Sequence, residues 1–237
     1  MAPEVDLRVD RFDPERFPLT RARRKRRRSK VIPQTKTAQA FALAEWLHGD
    51  QYRKNSDEEA LKIPYLTHLI DVMSLLIQVG ASDEQLIAGL LHDALEDQPV
   101  TPDGQVTQMV ISQMFGARVL ELVEAATDGS AGESRNSNTW KSRKQAHLDE
   151  MSVHLKTDPQ ALLVPLADKL ANGQAIVNDL HHVGPVVWDR FNATRDEVIW
   201  YYTSALAVFE SAFGADHVLV GRLRRVVAAM TSQDQAK

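Results

Sequence analysis

From Thr35 onward, apolar residues recur at intervals of three and four, the spacing that places them on one face of an α-helix. In TAQAFALAEWLHGDQ, Ala40, Leu43, Ala44 and Leu47 share a face, and Thr35 or Thr37 offers an N-cap oxygen. YLTHLIDVMSLLIQVG is a more apolar helix, ended by Gly80. Ser82-Asp83-Glu84-Gln85 combines a capping hydroxyl with first-turn acids, so it starts a third helix. That helix carries LLHDALED and is predicted to end at Gln98-Pro99.

Two shorter helices, VTQMVISQMF and ARVLELVEAAT, follow on either side of Gly116. DGSAGESRNSN is a polar loop. WKSRKQAHLDEMSVHL, DPQALLVPLADKLANGQAIVNDL, RDEVIWYYTSALAVFESAF and DHVLVGRLRRVVAAMTSQ return to helical spacing. No strand alternation and no internal repeat interrupts this pattern, which predicts an all-α helical bundle over 35–237. Residues 1–34, rich in proline and charge, read as an N-terminal extension.

Composition narrows the function classes. The chain has 237 residues, is 43% hydrophobic and carries a formal charge of -4, enough for one sizeable core. It has no cysteine, which excludes disulfide scaffolds, thiolate metal sites and cysteine nucleophiles. Any metal must therefore sit on His, Asp, Glu or backbone oxygen. No apolar run reaches the roughly 18 residues that span a bilayer, and MAPEVDLRVDRFDPERFPLT lacks a signal-peptide core. A cytoplasmic protein with no membrane partner is expected. Arg21 to Lys30, RARRKRRRSK, concentrates eight basic residues. Such a run is most simply a solvated arm, although it also suits nucleic acid or another polyanion. It has no interleaved aromatics to stack on bases.

LLHDALED breaks the apolar pattern. It sets His92, Asp93, Glu96 and Asp97 within about a turn and a half of helix. Burying such groups is costly unless they are paired or bound to a metal. An imidazole beside a carboxylate suits a borderline or hard divalent ion with room for water. A surface helix end with a negative cluster reads the same way. Two distant exceptions shift the balance: His68 at the opening of one apolar helix and Asp168 inside another. One metal explains all three, because facing helices of a bundle can aim inward side chains at one point.

At these residues the chain resembles the HD-domain phosphohydrolases, whose pattern is H…HD…D. More closely it resembles their alarmone-hydrolase branch, the hydrolase domain of RelA/SpoT-type enzymes and its small stand-alone relatives. The resemblance covers about Ala40 to Phe209. It rests on HGDQYRK, PYLTHLIDV, LIAGLLHDALED, FGARVLELVEAATD, WKSRK and LADKLAN in order. The ED after HD narrows it to that branch. It implies one metal, usually manganese, held by His68, His92, Asp93 and Asp168, with Glu96 and Asp97 positioning and deprotonating the attacking water. The implied substrate is guanosine tetra- or pentaphosphate, which loses its 3′-pyrophosphate.

The resemblance also implies a nucleotide-binding pair, Arg53 and Lys54. Lys169 would carry phosphate or nucleotide contacts, and Asn172 would hydrogen-bond the ribose or phosphate region. Arg143 and Lys144 follow the polar loop and are placed to close over phosphates, and Tyr201 matches a tyrosine near base and sugar. His48 reads as structural, and His147, His154, His181, His182 and His217 as surface residues. NSDEEALKI is longer and more acidic than its counterpart in many relatives, and Leu69 stands where proline is usual. The chain has no room for a synthetase domain, so degradation rather than synthesis is expected. Two other readings remain open at this point. One is an HD phosphatase for NADPH or a nucleoside monophosphate; the other is a non-enzymatic nucleotide- or RNA-binding protein using the basic arm. The pattern is silent on oligomeric state.

Overall fold

The computed structural model of the protein describes residues 35–53, 62–95, 102–128 and 137–232, with the side chains of 102–106 and 137–138 outside the description. The basic run Arg21 to Lys30 lies outside the described residues, as do Lys54, Glu96 and Asp97. Among the described residues there are nine α-helices and two short 3-10 segments, and the only β pairing is an isolated bridge between Tyr52 and Pro64. The predicted helical bundle is therefore the observed architecture. No helix among the described residues is long and apolar enough to cross a membrane.

The first three helices begin and end largely where local chemistry dictates. Helix α1 (Lys36–His48) is capped by Thr35, whose hydroxyl accepts from the Ala38 N–H at 3.1 Å. Helix α2 (Leu66–Gln78) follows Pro64, and Gly80, at φ 69°, takes the left-handed turn beyond it. Helix α3 (Asp83–Leu91) starts with a reciprocal capping box between Ser82 and Gln85. It stops sooner than expected. His92 to Leu95 form a turn, closed by Ala94 N–H donating to the Leu91 carbonyl at 2.9 Å. At this end the His92 side chain turns back: its Nδ1 lies 2.9 Å from the Gly89 carbonyl, one of the acceptors that a helix end leaves unpaired.

Helices α4 (Pro102–Phe115) and α5 (Ala117–Ala126) meet at Gly116, and α6 (Ser137–Thr157) leads into a 3-10 turn, Pro159–Leu162. Helix α7 (Leu163–Val183) is next, and a second 3-10 segment (Gly184–Arg190) precedes α8 (Arg195–Phe213) and α9 (Val218–Ser232). Thr194 and Glu197 cap α8 with a second reciprocal box.

Helix α7 is the axis of the molecule. Every residue from Leu163 to Ala171 is buried, and α2, α3, α5 and α9 all pack against it. A helix apolar on all sides belongs in a core. Pro165 is tolerated because a first-turn N–H has no intrahelical partner. Glycines admit close approach at two contacts. A Cβ on Gly89 would lie 2.5 Å from Leu76 Cδ1, so α3 seats tightly on α2. A Cβ on Gly173 would lie 2.6 Å from Val226 Cγ1 and 3.0 Å from Tyr202 Cε1.

These contacts give a paired prediction. Gly173→Ala gains about 1 kcal/mol of helix propensity but overpacks the core at a cost of about 1–3 kcal/mol. A net loss of about 1 kcal/mol in urea unfolding is expected. Gly221→Ala, in α9, meets nothing within 4 Å and is expected to raise stability by about 0.5–1 kcal/mol. A stabilised Gly173→Ala protein would contradict the close packing of α7 on α8 and α9.

Candidate metal centre

Three helix contacts build the site. Because α2 packs on α3 and both pack on α7, His68 in the first turn of α2, His92 and Asp93 at the end of α3, and Asp168 inside α7 face one another. His68 Nε2 lies 3.2 Å from His92 Nε2, 3.1 Å from Asp168 Oδ1 and 3.6 Å from Asp93 Oδ2. His92 Nε2 lies 3.0 Å from Asp93 Oδ2 and 3.4 Å from Asp168 Oδ1. All four residues are buried.

Within this set, His68, His92 and Asp168 fit a metal ion, with Asp93 beside the two histidines. Neighbouring ligand atoms around an ion at about 2.1 Å stand roughly 3.0–3.4 Å apart, close to the separations here. The tautomer agrees for His92. A carbonyl can only accept, so Nδ1 donates its proton to Gly89 and Nε2 can offer a lone pair. His68 Nδ1 is buried without a hydrogen-bond partner, so no comparable contact orients that ring. His68, His92 and Asp168 by themselves place candidate ligand atoms within 4.8 Å of one another.

The electrostatics express the same demand for positive charge. Burial alone would push the Asp93 and Asp168 carboxyls up. Instead the His92 cation holds Asp93 well below the usual carboxylate range. The Lys169 ammonium does most to hold Asp168 down, with hydrogen bonds from His68 and His92. Burial disfavours the protonated form of His92, yet Asp93 and Asp168 outweigh it and raise its pKa well above the ordinary histidine value. Without a metal, a proton on His92 is the available counter-charge.

Around Asp168 the structure brings several sequence candidates together. Lys169 Nζ donates to Asp168 Oδ2 at 2.8 Å, and Asn172 Nδ2 donates to Oδ1 at 2.6 Å. Asn172 Oδ1 in turn accepts from an Arg53 guanidinium N–H at 3.3 Å. Arg53 is set beside α7 by the ribbon that includes the Tyr52–Pro64 bridge, in which its N–H donates to the Ile63 carbonyl.

A second cluster adjoins the first through Lys169. The Tyr201 ring lies 4.8 Å from Lys144 Nζ and 5.8 Å from Lys169 Nζ. Lys144 is ion-paired with Asp128. Arg143 is buried on α6, and its Nε has no hydrogen-bond partner. The surface assignment of His147 is corrected here: the residue is 1% exposed, with Nδ1 3.9 Å from Asp128 Oδ1. Burial, then the charges of Lys169 and Lys144, push its pKa down to about 3, so it is a neutral ring. Burial also pushes the Tyr201 hydroxyl up to about 12.

Sequence reasoning missed Asp128, His147 and Tyr65. Tyr65 donates from its hydroxyl to Asp93 Oδ2 at 2.6 Å. Its position in PYLTH, one turn before His68, was the available signal. His48, expected to be structural, is buried with Nδ1 2.8 Å from Gln51 Oε1.

Comparisons with known proteins agree with this geometry. A family model described as an HD domain matches residues 40–199. A protein of Arabidopsis thaliana named probable GTP diphosphokinase RSH3, chloroplastic, is 31% identical over 169 residues, covering 71% of this chain and 21% of the relative. A guanosine-3′,5′-bis(diphosphate) 3′-pyrophosphohydrolase of Aquifex aeolicus is 32% identical over 133 residues, covering 56% of this chain and 16% of the relative. The chain thus spans a fifth or less of the length of the latter and about a fifth of the former. The crystal structure of lmo0812 from Listeria monocytogenes EGD-e superposes with a TM-score of 0.53 at 25% identity, covering 68% of this chain and 96% of that one. The family match takes in more than half of the chain, and with its inward-facing histidines and aspartates the protein belongs to the HD-domain family, alongside relatives of the RelA/SpoT branch.

Proposed function

We propose that this HD-domain protein is a metal-dependent pyrophosphohydrolase that removes the 3′-pyrophosphate of guanosine tetra- or pentaphosphate in the cytoplasm. The observation that carries the proposal is the continuity of two chemistries through Lys169. On one side of it stands a metal-fitting group, and on the other a cluster containing Lys144 and Tyr201. A phosphohydrolase needs both.

In this reading His68, His92, Asp93 and Asp168 hold one divalent ion, manganese by family resemblance. Such an ion polarises a phosphoryl oxygen and lowers the pKa of water. The protein's own groups do the rest. Lys169, Lys144 and Arg143 neutralise and orient the phosphates. Arg53, with Lys54, holds the nucleotide; a guanidinium can stack on a base as well as pair with phosphate. Asn172 retains one N–H and one lone pair beyond its bonds to Asp168 and Arg53, and these serve the ribose or phosphate region. Tyr201 lines the base and sugar side. Glu96 and Asp97 orient the attacking water and take its proton. Water adds at the phosphorus attached to O3′, the P–O3′ bond breaks, and the ribose oxygen leaves to be protonated. The products are pyrophosphate and GDP or GTP. Support for this substrate comes from the Aquifex relative's name and from the HDxxED order shared with that branch; other relatives bear synthetase names.

Three outcomes test the reading. Manganese-loaded protein offered ppGpp, NADPH and nucleoside monophosphates is expected to release pyrophosphate from ppGpp, measured by ion chromatography. Inorganic phosphate from NADPH alone would overturn it in favour of an HD phosphatase. Replacing both Glu96→Gln and Asp97→Asn should lower turnover at least a hundredfold while calorimetry still detects metal; concurrent loss of metal would mean that these residues are ligands.

The third outcome is a pH dependence. The raised His92 pKa stabilises the chelator-stripped protein fully below about pH 6.5, the unfolded value, and that stability is lost as pH rises through the folded-state value. The Tm of stripped protein should therefore fall across this window. Manganese should abolish the fall, because a ligating imidazole is already neutral. Parallel curves with and without metal would remove His92 from the centre.

A further inference from the structure

Of the four residues proposed to hold the metal, three make contacts that orient them. Asp168 is held by Lys169 and Asn172, and His92 by the Gly89 carbonyl. For Asp93 the contact comes from Tyr65, a residue to which neither the H…HD…D pattern nor the nucleotide-binding expectations assign a role. We propose that Tyr65 is a positioning residue: its hydroxyl fixes the Asp93 carboxylate in the orientation that ligates the metal. The proposal rests on the metal-site reading above.

Tyr65 occupies the N-cap position of α2, where Ser, Thr, Asp or Asn would satisfy a free backbone N–H. It makes no side-chain cap. Its one polar atom is directed across to the end of α3, donating to Asp93 Oδ2 at 2.6 Å. That same oxygen is 3.0 Å from His92 Nε2 and 3.6 Å from His68 Nε2, so the phenol grips the ligand atom itself. A hydroxyl donating to a carboxylate at this length is a charge-assisted bond, about twice as strong as a neutral one.

Asp93 needs such a contact. The terminal torsion of aspartate is broad and roughly two-fold, so the carboxylate plane is poorly set by its rotamer alone. Asp93 also lies in a turn beyond the helix, without a helical ladder to hold its backbone. An external donor supplies the missing orientation.

The donor is itself held in place. The Tyr65 ring packs between His48 and His68, with centroid separations of 5.4 and 5.6 Å. Its backbone N–H donates to the Gln51 carbonyl at 2.9 Å, and the Gln51 side chain meets His48 Nδ1 at 2.8 Å. Residues on both sides of 54–61 thus converge to aim one hydroxyl.

The test uses the full chain, stripped with chelator and titrated with Co2+, whose visible d–d bands report ligand geometry, and with Mn2+ by calorimetry. Tyr65→Phe keeps the ring and removes the donor. Expected are a 10–100-fold weaker metal affinity, the range for loss of an orienting contact, and a shifted Co2+ spectrum. The thermal midpoint of the stripped protein serves as the folding control. Where it falls sharply, His48→Leu, which loosens the ring stack but retains the hydroxyl, takes over, and a shifted Co2+ spectrum is again expected. Wild-type affinity with an unaltered Co2+ spectrum in the folded variant overturns the role of Tyr65. Asp168→Asn separates the two claims: should it bind Co2+ like the wild type, the metal site falls and the positioning role falls with it.

Discussion

A carboxylate in the buried N-terminal half of α7 is the constraint around which this structure is organised. Asp168 lies on α7 among Leu163 to Ala171, all of them buried. Leaving such an ion uncompensated costs several kcal/mol, so the surrounding helices must bring charge and donors to it. Lys169 takes one carboxylate oxygen, Asn172 the other, and His68 and His92 arrive from two further helices. Each compensating contact also fixes where a helix must stand.

The same contacts give the site its chemical bias. Two carboxylates and two imidazoles, all buried, attract a proton in the absence of metal, and His68, His92 and Asp168 lie close enough together to suit a divalent ion. Lys169 also faces the Tyr201 ring, beside which Lys144 lies paired with Asp128. The centre thus passes directly from a region that demands a cation to one that supplies cations. Buried His147 stays neutral next to those lysines, because a further positive charge there would be both desolvated and repelled.

Much of this was legible locally. Helical periodicity located the helices, and short-range hydrogen bonding set several of their ends: Thr35, Ser82 and Thr194 all cap within three residues. Three interruptions of apolar helices pointed to His68, His92 and Asp168. Two readings were changed by the structure. WKSRKQAHLDEM looks like a solvated face, but His147 is buried beside Asp128 and Tyr201, partners 19 and 54 positions away in sequence. LLHDALED reads as continuous helix, yet α3 ends at Leu91 and His92 to Leu95 form a turn, with the His92 side chain against the Gly89 carbonyl.

By itself, then, the sequence determined the all-helical architecture and the identities of the groups that need compensation, because periodicity, caps and exceptions to an apolar pattern act over a few residues. Only the tertiary structure decided which atoms meet. Asp93 Oδ2 is oriented by Tyr65, Asn172 ties Arg53 to Asp168, and Lys169 joins the metal-fitting group to the lysine-lined one. Those pairings depend on helix separations set by side-chain volume at contacts such as Gly89 against Leu76. Close packing is a property of the whole core, and no local spacing in the chain encodes it.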